Sequence, residues 1–598
     1  MLEEAAPTYE YRPLGRDEIR ILVLDPSNDR DAPLVLDLKH FLHPRLDALN
    51  GHSKSHSGQE DTHNPSSRQK RAFVRYEAVS YAWGTDTQTE AIRVGQGDER
   101  SYLRVRRNVV TMLHSLRHSS SVRYLWIDAV CINQRGISEK EVQVRHMGET
   151  YEYAERVIIW LRPVSEMSTL TSPPWWDSDK DYFEAFIGQA WFRRRWVIQE
   201  AVLAANLTVI CGAQEMNFLD LLCVLRLTFR DYRSRMSVTE GSLNMADICA
   251  SLWQLDMIQS LRTQKSKDPD RKWRLPKLLA MLHNAQCIDD RDRLYAFNGM
   301  CDDPIETSYR LATKELYYRM AERELEKDPD FLSYSGSFRC SNLPQGEDVL
   351  PQDNPLPSWV PDWRLRPIYL PLVANKYFAA ISKDSTDSSF RKRNDVVHLR
   401  GKAIASIGLK GDAYNSWFPD KRFQWIAQSY ELFMISRHVF MGPVLSTSVF
   451  TAVLTAGAVC GTFPLASGSQ GWSLRPTSDS DLNASLGRGH SSMSEMITFA
   501  ATGRCCFLTA ADNFAGDFGI APEDCQVGDV IVEFPGANVP IVLRKQRRAQ
   551  IETVPVASNG SNGEEEEYWS VVGDCYVHAL MERIGEPNDF PLRHFQIV

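Results

Sequence analysis

The sequence predicts an α/β protein: a parallel sheet covered by helices, then a helical region, then a small antiparallel β-rich C-terminal module. Three observations predict it. Over residues 76–212, short apolar runs stopped by turn residues alternate with stretches of helical periodicity, the pattern of repeated β–α–β units. From about 220 to 326 the chain is mostly helical and fairly polar. In the last hundred residues, 530–534, 539–544 and 568–572 alternate apolar with polar residues like antiparallel strands.

The elements follow in order. Residues 19–24 (IRILVL) read as a strand ended by Asp25-Pro26. Residues 51–71 are a polar insertion whose histidines, His52, His56 and His63, are expected to be solvated. Residues 77–83 (EAVSYAW) form a strand stopped at Gly84, and 91–94 a short partner strand. Helical periodicity over 105–116 puts Val109, Met112, Leu113 and Leu116 on one side. The run 124–129 (YLWIDA) has the character of a strand buried on both faces, ending in Asp128. Ser138 and Glu141 have capping-box spacing and open a helix to about 154 that buries Val144, Met147, Tyr151 and Ala154. A strand at 157–161 (VIIWL), a helix over 191–204 and a strand at 207–211 complete the series. Open parallel sheets bind ligands beyond the carboxyl ends of their strands, so that edge is where a site is expected. The organisation is an N-terminal strand with a disordered insertion (1–75), the α/β domain (76–212), a helical middle (213–365) and a C-terminal region (366–598).

Composition narrows the function classes. The 598 residues are 43% hydrophobic and 24% charged, which excludes wholesale disorder. A net charge of −9 argues against a dedicated nucleic-acid binder. The 12 cysteines are scattered with no C-x-x-C pair, so reduced thiols and a cytoplasmic setting are expected, with no metal site. The acidic start MLEEAAPTYEYRPL has no signal-peptide core. Residues 439–474 carry no charge but are broken by Gly442, Pro443, Gly457, Gly461 and Pro464, so a buried helix plus loop is expected rather than a membrane span. No P-loop, G-x-G-x-x-G or G-x-S-x-G motif occurs, which leaves NTPase, dehydrogenase and α/β-hydrolase readings unsupported.

Three ordered strings, 76–84 (YEAVSYAWG), 125–134 (LWIDAVCINQ) and 191–201 (WFRRRWVIQEA), resemble the three blocks of the fungal heterokaryon-incompatibility (HET) domain. The resemblance implies a role in non-self recognition and programmed cell death, through a protein partner or self-association. HET domains have been compared with TIR domains, so it also implies a TIR-like, flavodoxin-like sheet. Some TIR domains cleave NAD; the alternative it opens is an NAD-hydrolysing enzyme using Glu200, with NAD as substrate rather than cofactor.

Glu200 is the most informative single residue. Its helical neighbours Trp196, Val197, Leu203 and Ala204 are all apolar, so the carboxylate sits on a hydrophobic stripe without an ion partner on its own helix. Either a tertiary salt bridge locks it structurally, or it is a site carboxylate able to stabilise an oxocarbenium-like state. Asp128 either caps the following loop or shares that site, orienting a ligand. Asn133 and Gln134 either contact a ligand or form the turn. Trp83 is either a stacking platform at a cleft rim or a core side chain. Arg193, Arg194 and Arg195 point in different directions on a helix and make no single basic face.

Overall fold

The computed structural model describes residues 7–29, 31–45, 73–84, 89–95, 101–163, 180–235, 245–338, 356–367, 369–374, 390–393, 395–414 and 419–436. It further describes 449–450, 452–456, 466–468, 471–473, 497–498, 500–511, 516–546, 567–581 and 590–598. The insertion expected at 51–71 and most of the uncharged stretch 439–474 lie outside these. Among the described residues, no helix is long and apolar enough to cross a membrane. The chain divides into two compact units, Met1–Leu275 with Asn284–Arg310, and Pro276–His283 with Leu311–Val598.

The first unit is built on one nine-stranded sheet. Its strands are β1 (Glu18–Leu24), β2 (Val35–Leu42), β3 (Glu77–Tyr81), β4 (Thr89–Val94), β5 (Ser101–Arg106), β6 (Arg123–Trp126), β7 (Arg156–Leu161), β8 (Leu207–Cys211) and β9 (Gln214–Asn217). Their order is β5-β4-β2-β1-β6-β3-β7-β8-β9. The expected parallel arrangement holds at the centre, where β6, β3, β7 and β8 run parallel. Elsewhere it is corrected: β1 pairs antiparallel with β2 and β6, β4 with β5, and β8 with β9. The connections decide this. The turn Gly212-Ala213, with Gly212 at φ 59°, can only return the chain antiparallel, whereas a parallel neighbour needs a crossover. β1 and β2 precede residue 76 yet are interior strands of this sheet, and every residue of β1 is buried.

The helices are α1 (Arg107–Leu116), α2 (Asp128–Cys131), α3 (Ile137–Glu152), α4 (Lys180–Ile187), α5 (Trp196–Leu203), α6 (Phe218–Arg235) and α7 (Met245–Lys267). α1 buries Val109, Met112, Leu113 and Leu116 as its periodicity requires, while Val105 belongs to β5. Two helix expectations are corrected. The Ser138–Glu141 capping box does not form: Gly136 is the N-cap of α3 without a side-chain cap bond, and Glu141 instead accepts from Tyr309 N at 2.7 Å. The helix expected over 191–204 is a 3-10 turn (Ala190–Arg193) and then α5. The interruption has a cause, because Arg195 N donates to Gln286 O and Gln286 N to Arg193 O, at 2.7 and 2.6 Å. Those bonds take the backbone out of the helical ladder.

Opposite the carboxyl ends of the parallel strands, Glu77 on β3 joins its two neighbours. It accepts from Arg123 of β6 at 2.6 and 3.0 Å and from Arg156 of β7. Burial pushes its carboxyl up, but the two guanidiniums outweigh that and hold it below the usual range. On α3, a Cβ at Gly148 would come within 2.7 Å of Gly299 Cα. Gly148→Ala is therefore expected to destabilise the first unit by about 1–3 kcal/mol, read as a lower chemical-denaturation midpoint with an unchanged m-value.

The second unit holds β10 (Arg391–Arg393), β11 (Val396–Ala413), β12 (Ala466–Gly468), β13 (Gly471–Ser473), β14 (Arg504–Thr509), β15 (Phe518–Pro522), β16 (Val530–Glu533), β17 (Ile541–Gln546), β18 (Tyr568–Asp574), β19 (Tyr576–Val577) and β20 (Leu592–Ile597). The three strands expected near the C-terminus are β16, β17 and β18, but the module is larger than they suggest. β11 pairs with β20 near its start and with β16 further on, which closes a ring β11-β16-β17-β18-β20. Closure removes sheet edges. β11 carries register shifts in its pairings with β16 and β14, as bulges in a strongly bent strand do.

Candidate functional site

The carboxyl ends of β3, β6 and β7 carry the residues singled out from the sequence. β6 ends at Trp126, so Asp128 lies not on a strand, as expected, but in the first turn of α2. The run is also less enclosed than a strand buried on both faces: Tyr124 is 37% exposed, whereas Trp126 is 0%. Asp128 itself is buried. One oxygen accepts from Ala129 N at 2.7 Å, and the other from Trp83 Nε1 at 2.8 Å. A guanidinium nitrogen of Arg194 stands 3.4 Å from that second oxygen. One oxygen of Asp128 thus takes the N–H of the following residue, and the other meets Trp83 and Arg194.

Trp83 is half-buried, with the guanidiniums of Arg194 and Arg106 at 5.6 and 5.9 Å from its ring centroid. Asn133 forms the turn after α2, its side-chain oxygen accepting from Arg135 N and Gly136 N at 3.2 Å each. Gln134 donates to the backbone carbonyl of Asp128 at 2.9 Å. That loop is pinned from below by Arg20, fully buried on β1, which donates to Cys131 O at 2.7 Å and to Glu139 at 2.8 Å.

Glu200 sits on α5, all eight residues of which are buried. Its exposure is 0%, and neither carboxylate oxygen has a hydrogen-bond partner among the described residues. Burial pushes the carboxyl up to about 7. Arg194 pulls it down, nearby Asp128 pushes it up, and the Ser80 hydroxyl pulls it slightly down. That hydroxyl accepts from Trp191 Nε1 at 2.9 Å. Arg194 thus answers two acids but is hydrogen-bonded to only one, Asp128, and to Tyr81 O. Glu200 and Asp128 therefore share one electrostatic environment. Of the two alternatives for Glu200, the directly bonded salt bridge is absent among the described residues.

Arg193, Arg194 and Arg195 go three separate ways. Arg193 pairs with Asp247 at 3.1 Å, Arg194 faces the site, and buried Arg195 donates to the carbonyls of Ala285 and Arg293, each at 3.2 Å. Among the described residues no cluster of His, Cys, Asp and Glu could hold a metal.

Sequence reasoning missed three arginines here. Arg194 carried a usable signal, a cation five to six residues before a buried acid in an otherwise apolar string. Arg162 follows the last residue of β7 at a carboxyl end, and donates to Asn108 Oδ1 at 3.1 Å. Asn108 in turn donates to Ala82 O, and Arg106 to Gly84 O. Nothing in the local sequence announces Arg106, whose strand β5 is separated from β3 in the sheet by β4, β2, β1 and β6.

Residues 76–181 match the family model described as Heterokaryon incompatibility protein (HET). Heterokaryon incompatibility protein 6, OR allele, of Neurospora crassa is 26% identical over 365 residues, which is 49% of this chain and 53% of that protein. The chain therefore spans about half the length of the curated relative it matches. No solved structure matches.

Proposed function

We propose that this chain, whose residues 76–181 match the heterokaryon-incompatibility (HET) family model, acts in fungi as an effector of non-self recognition whose output is cell death. One observation carries the reading. The three strings that bear the resemblance lie apart in sequence, yet Trp83 and Arg194 both meet Asp128, and Glu200 lies within the electrostatic reach of Arg194 and Asp128. Residues that define a domain by sequence and also meet in space mark what that domain does, since packing alone does not require an unpaired acid there. The test is expression in a fungal host. Wild type is expected to arrest growth or kill the cell, and Asp128→Asn to abolish this at equal protein level. Equal toxicity of the two sinks the reading.

A second reading is favoured by Glu200 itself: a nucleotide hydrolase acting on NAD. In that reaction the bond from ribose C1′ to the nicotinamide nitrogen breaks, its electron pair leaving with nicotinamide. Water adds to C1′, and ADP-ribose and a proton are released. An ionised carboxylate beside C1′ stabilises the oxocarbenium-like state between these events. Glu200 is wholly enclosed, so a substrate reaches it only when neighbouring side chains move. Purified protein is expected to release nicotinamide from NAD, with a rate rising as pH increases through about 7, the value at which Glu200 ionises. Glu200→Gln is expected to lower that rate at least ~100-fold. No turnover by a folded wild type, in any oligomeric state, ends this reading.

A further inference from the structure

Arg106, Arg162 and Arg194 come from three different elements and gather at the turn that ends β3. Arg106 donates to Gly84 O and its guanidinium lies 5.9 Å from the Trp83 ring centroid. Arg194 approaches the same ring at 5.6 Å. Arg162 reaches Asn108, which holds Ala82 O. Arg106 and Arg194 thus approach residues 81–84 directly and Arg162 through Asn108, with Asp128 the acid that Arg194 faces.

Their bonding is uneven. Arg194 is committed, to Asp128 and to Tyr81 O. Arg106 and Arg162 each make one hydrogen bond, to a carbonyl and to an amide oxygen. Neither has a carboxylate within 4.0 Å among the described residues. Most donors on two half-buried guanidinium forks are therefore unspent. Several other arginines of this unit carry an acid of their own: Arg20 has Glu139, Arg123 and Arg156 have Glu77, and Arg45 has Asp17. Arg106 and Arg162 bring positive charge to the rim in a chain whose net charge is −9. Arginine forks suit phosphate oxygens geometrically as well as by charge. The helix that follows Arg106, α1, has ten residues, no side-chain cap and no acid in its first turn, so its positive end adds to the same field.

We propose that Arg106 and Arg162, beside Trp83, form a binding site for the diphosphate of a nucleotide-type small molecule. Arg194 lends charge but is held in place by Asp128. A diphosphate offers oxygens on two phosphorus centres to two guanidinium forks, and the half-buried indole offers a neighbouring apolar surface. This names the ligand class of the site in which the NAD-hydrolase reading places Glu200, and rests on that reading for the nucleotide. Binding and turnover are measured separately, so either can fail alone.

Titration calorimetry of the full-length protein with ADP-ribose and with inorganic pyrophosphate tests it. Both are expected to bind saturably, ADP-ribose more tightly, with affinity falling as salt rises. Arg106→Gln and Arg162→Gln are each expected to weaken both ligands at least ~10-fold, while Arg226→Gln, at an exposed arginine of α6 paired with Asp256, binds ADP-ribose as wild type does. Binding of pyrophosphate with no preference for ADP-ribose overturns the nucleotide part. Absence of saturable binding to wild type at millimolar ligand overturns the whole, as does unchanged affinity in both arginine variants. If a variant does not fold, competition of pyrophosphate with ADP-ribose on wild type decides: lack of competition overturns the shared site. ADP-ribose binding without NAD turnover leaves the site standing and ends hydrolysis.

Discussion

Glu200→Gln is expected to stabilise the first unit at pH 8 and to leave it nearly unchanged at pH 4.5. The carboxyl is raised from 4.5 to about 7 in the folded chain, burial being the main cause. A raised folded value means the native state holds its proton more tightly than the unfolded state. The stability from that bound proton is fully present below about 4.5, and is lost as pH rises through about 7. Integrated over that window, the difference is roughly 3 kcal/mol. Glutamine keeps the shape and removes the ionisation, so the gap in melting temperature between variant and wild type should open between pH 5 and 8. A gap that stays flat across that range would show that Glu200 is not the buried, unpaired acid described here. The same substitution that stabilises the fold is the one expected to abolish hydrolysis, and a stability gain bought with lost chemistry is what a strained site carboxylate predicts.

The other large effect lies in the second unit. Arg504 and Asp574 are both fully buried and paired with each other. Arg504 also donates to Asp574 O at 2.8 Å and Leu370 O at 3.1 Å, and lies 4.2 Å from the centroid of the Tyr369 ring. Asp574 takes the N–H of Leu372 at 2.6 Å. Burial pushes the Asp574 carboxyl up despite the pull of Arg504. Removing one partner strands the other charge in the interior, so Arg504→Met is expected to cost about 3–5 kcal/mol. The double variant Arg504→Met with Asp574→Leu should recover a large part of that loss, because the pair then leaves no orphan charge. Urea unfolding of the four members of this cycle gives the coupling. Additive costs would mean the two groups do not depend on each other.

How much of this was legible beforehand varies by element. The strands at 19–24, 77–81, 157–161 and 207–211 are visible as apolar runs between turn residues, because a buried strand has to be apolar on both faces. The α1 face is visible for the corresponding reason at helical spacing. Glu200 stood out because an acid among Trp196, Val197, Leu203 and Ala204 contradicts its surroundings. Strand direction was not legible. An apolar run reads the same whether its neighbour is parallel or antiparallel, and the mixed sheet follows from connections such as Gly212-Ala213. Nor was the break after Arg193 visible, because it is made by Gln286, some ninety residues on.

Sequence alone therefore determined which segments are buried, that one acid is buried with them, and that three strings mark a HET domain. Tertiary structure alone decided that Trp83 and Arg194 meet Asp128, that Glu200 feels both charges, and that Arg106 lies against Trp83 while Arg162 reaches Asn108. The reason is physical. Hydrophobic patterning is local and survives in the order of residues. Electrostatic partnership depends on distance in space, which sheet order and crossover connections set.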